Sequence, residues 1–127
     1  MIAVDTSALM AVVLGEAEAE ACITALEAED EILISTGTIA EALIVAARRN
    51  VSDEMESLIS GLGLHAIALT LASARRVAVA YEQWGKGVHT AGLNLGDCFA
   101  YEVAKQHDCP LLYIGSDFAR TDIKGVL

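Results

Sequence analysis

The stretch GLNLGDCFAY, residues 92–101, joins a glycine-rich loop to an apolar run of the kind that forms a helix. Asn94 is a good N-cap, and Asp97 follows three residues later, at the position from which a capping-box side chain reaches back to the N-cap. A carboxylate in the first helical turn also gains from the helix dipole. Taken alone, the pattern predicts a structural aspartate at the start of a helix.

The 127 residues of the chain, 54% of them hydrophobic, suffice for a domain with its own core. We therefore expect a single domain over residues 1–127. No apolar run approaches the ~20 residues of a membrane span, and the first residues carry no signal-peptide pattern. These features favour a cytoplasmic protein. The surplus of apolar residues, above the usual ~45–50%, favours a protein that buries part of its surface in an oligomer.

The formal net charge of -10 argues against a general nucleic-acid-binding surface, because such surfaces are basic. It suits a protein that binds cations or a basic partner, and it leaves room for a nuclease whose metal ions supply the local positive charge. The three cysteines, Cys22, Cys98 and Cys109, never form a C-x-x-C pair. We expect them to be reduced thiols.

Short, wholly apolar strands alternate with helices along the chain. This alternation predicts the α/β class, with a central, mainly parallel β-sheet flanked by helices on both faces. The expected strands are residues 2–4, 32–34, 64–69 and 111–114, with a short edge strand at 123–127. The expected helices are residues 8–14, 16–29, 39–49, 52–60, 70–84 and 95–107.

Four acidic residues follow the predicted strands or begin the predicted helices. Asp5 follows the first strand, Asp117 the fourth, and Glu41 and Asp97 lie near helix starts. Each has a structural explanation, since Asp5 and Asp117 could be N-caps, Glu41 could form a capping box with Thr38, and Asp97 could pair with the helix dipole. Because ligands bind at the carboxyl ends of parallel strands, we also expect the four carboxylates to meet at one edge of the sheet.

Such a cluster would repel itself. Two like charges about 4 Å apart cost on the order of 4 kcal/mol at an effective dielectric of 20, and no Arg or Lys stands within the four motifs. A divalent cation would relieve the repulsion. All the candidate ligands are oxygen atoms, so the pattern indicates magnesium or manganese.

These motifs resemble those of PIN-domain ribonucleases and, more narrowly, of the VapC toxins of bacterial toxin–antitoxin pairs. The resemblance rests on DTSAL at 5–9, IAE at 39–41, NLGDCFAY at 94–101, GSDF at 115–118 and TDI at 121–123. It implies a Rossmann-like PIN domain, a homodimer, and an endoribonuclease that depends on Mg²⁺ or Mn²⁺. It also implies inhibition by a VapB-type antitoxin, with a structured RNA such as tRNA or rRNA as the substrate.

The resemblance also assigns roles. Asp5, Asp97 and Asp117 would be catalytic metal ligands, and Glu41 would bind the metal through water or act as the base that orients the nucleophile. Asp122 matches the family pattern too, either as a helper ligand or as a C-terminal turn residue. A mild departure lies just before Asp117, where serine replaces the asparagine of many relatives.

Other interpretations stay open. A magnesium-dependent phosphatase would use Asp5 as nucleophile, but such enzymes usually carry a second aspartate two residues later, where this chain has Ser7. A non-catalytic PIN-like binding module would keep the fold alone. Thr6 and Ser7 could bond a carboxylate or a phosphate, or simply cap a helix. Lys86 and His89, in the glycine-rich loop, are solvated in the commoner reading and contact RNA phosphates in the rarer one.

Overall fold

Four short strands form one parallel sheet in the order β3-β2-β1-β4 in the computed structural model, which describes residues 1–127. The strands are β1 (Ile2–Val4), β2 (Ile32–Ser35), β3 (His65–Ile67) and β4 (Leu111–Leu112). The chain moves outward from β1 through β2 to β3, then crosses to the other side of β1 to form β4. The strand order therefore reverses between β1 and β4, and this is the point at which open α/β sheets bind ligands.

Alternate side chains of β1, β2 and β4 enter two separate cores. Ile2 and Val4 of β1 join one core, whereas Ala3 joins the other. β2 divides in the same way, with Ile34 on the first side and Leu33 on the second. Both faces of the sheet are therefore buried, which confirms the predicted parallel sheet with helices on both faces.

Four helices cover one face and two cover the other. The first core holds α1 (Thr6–Leu14), α2 (Ala19–Glu27), α3 (Thr36–Arg48) and α4 (Ser52–Gly61). The second holds α5 (Leu71–Trp84) and α6 (Leu95–Gln106). A 3₁₀ turn, Phe118–Arg120, follows β4. None of the helices has the length and apolarity needed to cross a membrane.

Several predicted boundaries are wrong. Two strands are shorter than expected, β3 at 65–67 and β4 at 111–112, and α2 starts three residues late. The edge strand expected at 123–127 is a single bridge between Leu111 and Gly125. The three cysteines are free, as expected, with Cys22 and Cys98 buried.

The predicted capping box of Thr38 and Glu41 is also wrong. Helix α3 begins earlier, at Thr36, and its N-cap is Ser35, whose hydroxyl accepts a bond from the Gly37 amide at 3.1 Å. Thr38 is fully buried and its hydroxyl has no partner. Glu41 consequently lies in the second turn, where its side chain is free to reach another helix.

Candidate active site

Asp5 is a buried carboxylate with one oxygen fixed and one free. It follows β1 and caps α1: its Oδ2 accepts bonds from the Ser7 amide (3.0 Å) and hydroxyl (2.6 Å). The Ser7 hydroxyl accepts a bond from the Ile114 amide at 3.0 Å, which ties this turn to the segment after β4. The other oxygen of Asp5, Oδ1, is buried and has no hydrogen-bond partner. A buried acceptor without a donor is costly unless a ligand completes it.

Burial raises the pKa of Asp5 to about 7. The two bonds from Ser7 oppose this rise in the pKa, and the negative charges of Asp97 and Glu41 add to it. Asp5 is thus held beside other acids without a cation to balance it.

Glu41 lies between the start of α1 and the start of α6. The Thr6 hydroxyl donates a bond to its Oε1 at 2.5 Å. On the other side the carboxylate rests against the backbone at Gly96, where an added Cβ would collide with it. Only glycine leaves room for this approach, so Gly96 is a residue of the site. Sequence reasoning missed this role of Gly96, because nothing local in the sequence connects it to Glu41.

Asp97 caps α6 and still has an oxygen to spare. Its Oδ2 accepts a bond from the Asn94 amide at 3.0 Å, and its own amide donates to Asn94 Oδ1 at 2.8 Å, which confirms the predicted capping box. Burial raises the pKa of Asp97 to about 6, against the bond from Asn94, and the charges of Asp117 and Glu41 raise it further. The cap therefore fixes the carboxylate among the other acids.

Asp117 is the exposed member of the group. It precedes the 3₁₀ turn after β4, but its side chain makes no capping bond, so the plain N-cap explanation fails for this residue. Its charge acts on Asp97. The carboxylate is free to turn toward a ligand.

The structure thus gathers all four predicted acids into one electrostatic group. Asp5 feels the charges of Asp97 and Glu41, and Asp97 feels those of Glu41 and Asp117. None of the four takes part in a salt bridge. As they stand, no three acidic, histidine or cysteine side chains converge closely enough to hold a metal ion.

The residues nonetheless suit a hard divalent cation. Asp5 offers a buried orphan oxygen, and every donor in the group is a carboxylate, the ligand type that Mg²⁺ and Mn²⁺ prefer. Asp97 and Asp117 each have oxygen atoms outside any hydrogen bond.

Asp122 has a different setting. Its carboxylate accepts bonds from the Tyr101 hydroxyl (2.7 Å) and from Lys105 (3.0 Å), and Tyr101 accepts one from the Trp84 indole (2.9 Å). Burial alone would raise the pKa of Asp122, but the bonds from Tyr101 and Lys105 together lower it. These contacts make Asp122 a brace of the C-terminal segment against α6 and favour the turn-residue reading.

Known proteins match this chain along nearly its whole length. The PIN domain family model matches residues 2–124. VapC ribonuclease Mb0640 of Mycobacterium bovis is 40% identical over 126 residues, covering 97% of this chain and 96% of that protein. Ribonuclease VapC36 of Mycobacterium tuberculosis is 38% identical over 125 residues, covering 95% of this chain and 90% of that protein.

Solved structures show the same fold. M. tuberculosis VapC20, described as a sarcin-ricin loop cleaving toxin, superposes with a TM-score of 0.81 over 99% of this chain and 98% of its own, at 14% identity. A toxin–antitoxin complex from Klebsiella pneumoniae superposes with a TM-score of 0.71 over 96% of this chain and 93% of its own, at 22% sequence identity. With the family model and the 40% relative, these findings confirm the resemblance seen in the sequence motifs. The chain belongs to the PIN-domain family and, within it, to the VapC ribonucleases.

Proposed function

We propose that this protein is an endoribonuclease toxin that hydrolyses RNA phosphodiester bonds with Mg²⁺ or Mn²⁺ and is neutralised by a VapB-type antitoxin. The observation that carries the proposal is the orphan oxygen of Asp5, buried among acids that form no salt bridge. A site of this charge cannot hold an RNA phosphate by itself, since both are anionic. The geometry therefore supports chemistry that requires a cation between protein and substrate.

In the proposed mechanism Asp5, Asp97 and Asp117 would hold the metal. When bound, the cation would act as a Lewis acid toward the scissile phosphate and would make water a stronger acid. Glu41, fixed by Thr6 and by contact with Gly96, holds the proton lost by the attacking water. The Ser7 and Asn94 bonds keep two of the aspartates in place, so that little reorganisation is needed when substrate arrives.

The antitoxin belongs to the proposal because two structural neighbours are complexes of this kind. One is the toxin–antitoxin complex from Klebsiella pneumoniae, and the other is VapBC2 of Rickettsia felis bound to a promoter DNA fragment. VapC20 is described as a sarcin-ricin loop cleaving toxin. By analogy we propose a structured RNA of the rRNA or tRNA class as substrate, and the cytoplasm as the place of action.

A homodimer is also part of the proposal. Helix α5 exposes Leu71 and Val79, at 68% and 59%, and Leu95 at the start of α6 is 58% exposed. Apolar side chains at this exposure favour a protein surface that is covered in solution. Light scattering that reports twice the chain mass would support the dimer, and a clean monomer would remove it.

Cleavage of RNA by Asp97→Asn tests the ribonuclease assignment. We expect wild-type protein to cut RNA in Mg²⁺ or Mn²⁺, and Asp97→Asn to lose the activity at least a hundredfold while keeping the fold, because asparagine can still accept the capping bond. Asp53→Asn is the matched control. Asp53 is also an acid in a first helical turn, but it is exposed on α4, away from the four acids of the candidate site. Undiminished cleavage by Asp97→Asn would refute the assignment.

A further inference from the structure

The glycine-rich loop, residues 85–93, is closed at its base and held near its tip. At the base, the Lys86 amide donates to the Leu93 carbonyl (2.9 Å) and the Leu93 amide donates to the Trp84 carbonyl (3.1 Å). Near the tip, Nη1 of Arg120 donates to the Thr90 carbonyl at 3.2 Å. Arg120 thus connects the loop that leads into α6 with the turn that follows β4.

Those two segments deliver two of the four acids. Arg120 lies three residues after Asp117 across a 3₁₀ turn, in which side chains three apart fall on the same side. The loop that Arg120 contacts leads directly to Asn94, the N-cap whose amide donates a hydrogen bond to Asp97. Arg120 therefore joins the two segments that carry Asp97 and Asp117, and it forms no salt bridge to any acid.

Most other cations of the chain are paired or distant. Arg76 and Lys105 are occupied by ion pairs with Glu102 and Asp122. Three more basic residues lie away from the carboxyl edge of the sheet: Arg48 and Arg49 at the far end of α3, and Lys124 beside the amino end of β4. A chain of net charge -10 repels RNA, so the few free cations near the acids carry the electrostatic attraction that substrate needs.

Lys86 is another cation without a salt bridge, and it lies near the start of α6, whereas His89 has a structural role. Lys86 is exposed and shares a groove with Asn94 and Leu95 at the start of α6. The Nδ1 of His89 accepts a bond from the Ala91 amide at 2.9 Å, and its ring packs edge-on against Trp84. His89 therefore holds the loop together internally.

We propose that Arg120, assisted by Lys86, binds the phosphates that flank the scissile bond of RNA and holds the strand against the carboxylate group. The inference rests on the ribonuclease proposal and names the residues that hold its substrate. Arg120 uses one N–H on the Thr90 carbonyl and keeps the remaining donors of its planar fork for a phosphate. The loop contact orients the guanidinium before RNA arrives.

The salt dependence of RNA binding tests this. Binding of a short fluorescein-labelled single-stranded RNA of mixed sequence is measured by anisotropy in Mg²⁺ at several salt concentrations. All variants also carry Glu41→Gln, so that the RNA is not consumed. Arg120→Gln is expected to bind several-fold more weakly, with a slope of log K against log salt smaller by about 0.7, the change for one lost phosphate contact on single strands. Lys86→Gln should also make the slope of log K against log salt smaller.

Two variants separate charge from structure. Arg49→Gln removes the same charge at the exposed far end of α3 and should leave the slope unchanged. Arg120→Lys keeps a cation and should retain most of the slope, which a purely structural brace would not do. Equal slopes for Arg120→Gln, Arg49→Gln and the parent would overturn the inference. Separately, wild-type protein that binds this RNA with the predicted slopes but never cleaves RNA would overturn the ribonuclease proposal and leave the phosphate contact standing.

Discussion

At the residue scale, the site depends on carboxylates that are fixed by one oxygen and open at the other. Asp5 is fixed by Ser7, Asp97 by Asn94 and Glu41 by Thr6. Each bond occupies one oxygen of a carboxylate and leaves the other open. A capping role and a catalytic role are therefore compatible, because the cap is what sets the position of the carboxylate.

Asp5 should make metal-free protein less stable as the pH rises. Its pKa of about 7 in the folded state lies above the 3.8 of a free aspartate, so folded protein holds a proton that the unfolded chain has lost between about pH 4 and 7. The stability contributed by protonated Asp5 is complete below about pH 4 and is lost as the pH rises through about 7, a loss on the order of 4 kcal/mol. Denaturant unfolding in EDTA measures it.

Asp5→Asn should flatten this pH dependence and raise the stability of metal-free protein above pH 7. Asparagine can still accept the Ser7 bonds, and it removes the buried charge. Asp53→Asn, at an exposed site, is the control and should leave the pH profile almost as in wild type. If wild type and Asp5→Asn lose stability in parallel from pH 4 to 7, the charge environment assigned to Asp5 is wrong.

Gly96→Ala should disable the site without unfolding the protein. A methyl group at this position would collide with the Glu41 carboxylate, which must leave its place beside Thr6. We expect RNA cleavage to fall about a hundredfold or more, the range for loss of a proton-transfer group, with the circular dichroism spectrum retained.

Gly61→Ala is the control for that change. Gly61 is also a helical glycine, at the end of α4, and an added Cβ meets nothing there. It should keep full cleavage and gain about 0.5–1 kcal/mol of stability, the usual difference between alanine and glycine in a helix. Full RNA cleavage by Gly96→Ala would show that activity does not require the Glu41 carboxylate to lie against the Gly96 backbone.

At the element scale, α6 is the helix that joins the site to the rest of the molecule. Its first turn holds Asp97, and one turn later Tyr101 bonds Trp84 at the end of α5 and Asp122 of the C-terminal segment. These bonds hold α6 against α5 and the C-terminal segment from behind the site.

Tyr101→Phe should therefore lower the melting temperature by several degrees. The change leaves the Trp84 N–H without an acceptor in a half-buried position, at a cost of about 1–3 kcal/mol. Tyr81→Phe is the control, because the hydroxyl of this exposed tyrosine bonds nothing. Cleavage well below the melting temperature should persist in both variants. Equal melting temperatures for the two would show that the Tyr101 bonds contribute nothing to stability.

Helices α6 and α3 show what the sequence could and could not predict. Asn94 and Asp97 form the predicted capping box because such a box depends on residues three apart. Thr38 and Glu41 have the same spacing, yet α3 starts at Thr36 and Glu41 bonds Thr6 on another helix. The partner of Glu41 depends on tertiary packing, which no local pattern contains. The contact of Arg120 with the loop was unpredictable for the same reason.

At the scale of the whole molecule, sheet topology explains why distant acids meet. The switch between β1 and β4 brings Asp5 and the segment before Asp117 to neighbouring strand ends, and the Ser7 to Ile114 bond joins them. This part of the site was predictable, because alternating apolar strands and helices already indicate parallel strands. The strand lengths were not predictable. Each strand ends where its hydrogen bonds to the neighbouring strand end, whereas the apolar residues in the sequence continue beyond that point.

The central claim is that the four acids form one metal site, and the most direct test is a melting curve with and without Mn²⁺. Wild-type protein should be stabilised, by about 2.7 kcal/mol at a free Mn²⁺ concentration about 100-fold above the dissociation constant. Asp97→Asn should lose most of this gain, whereas Asp53→Asn should keep it. A wild-type melting temperature that does not change with Mn²⁺ would contradict the shared metal site. An equal rise in the melting temperature of Asp97→Asn would contradict it too.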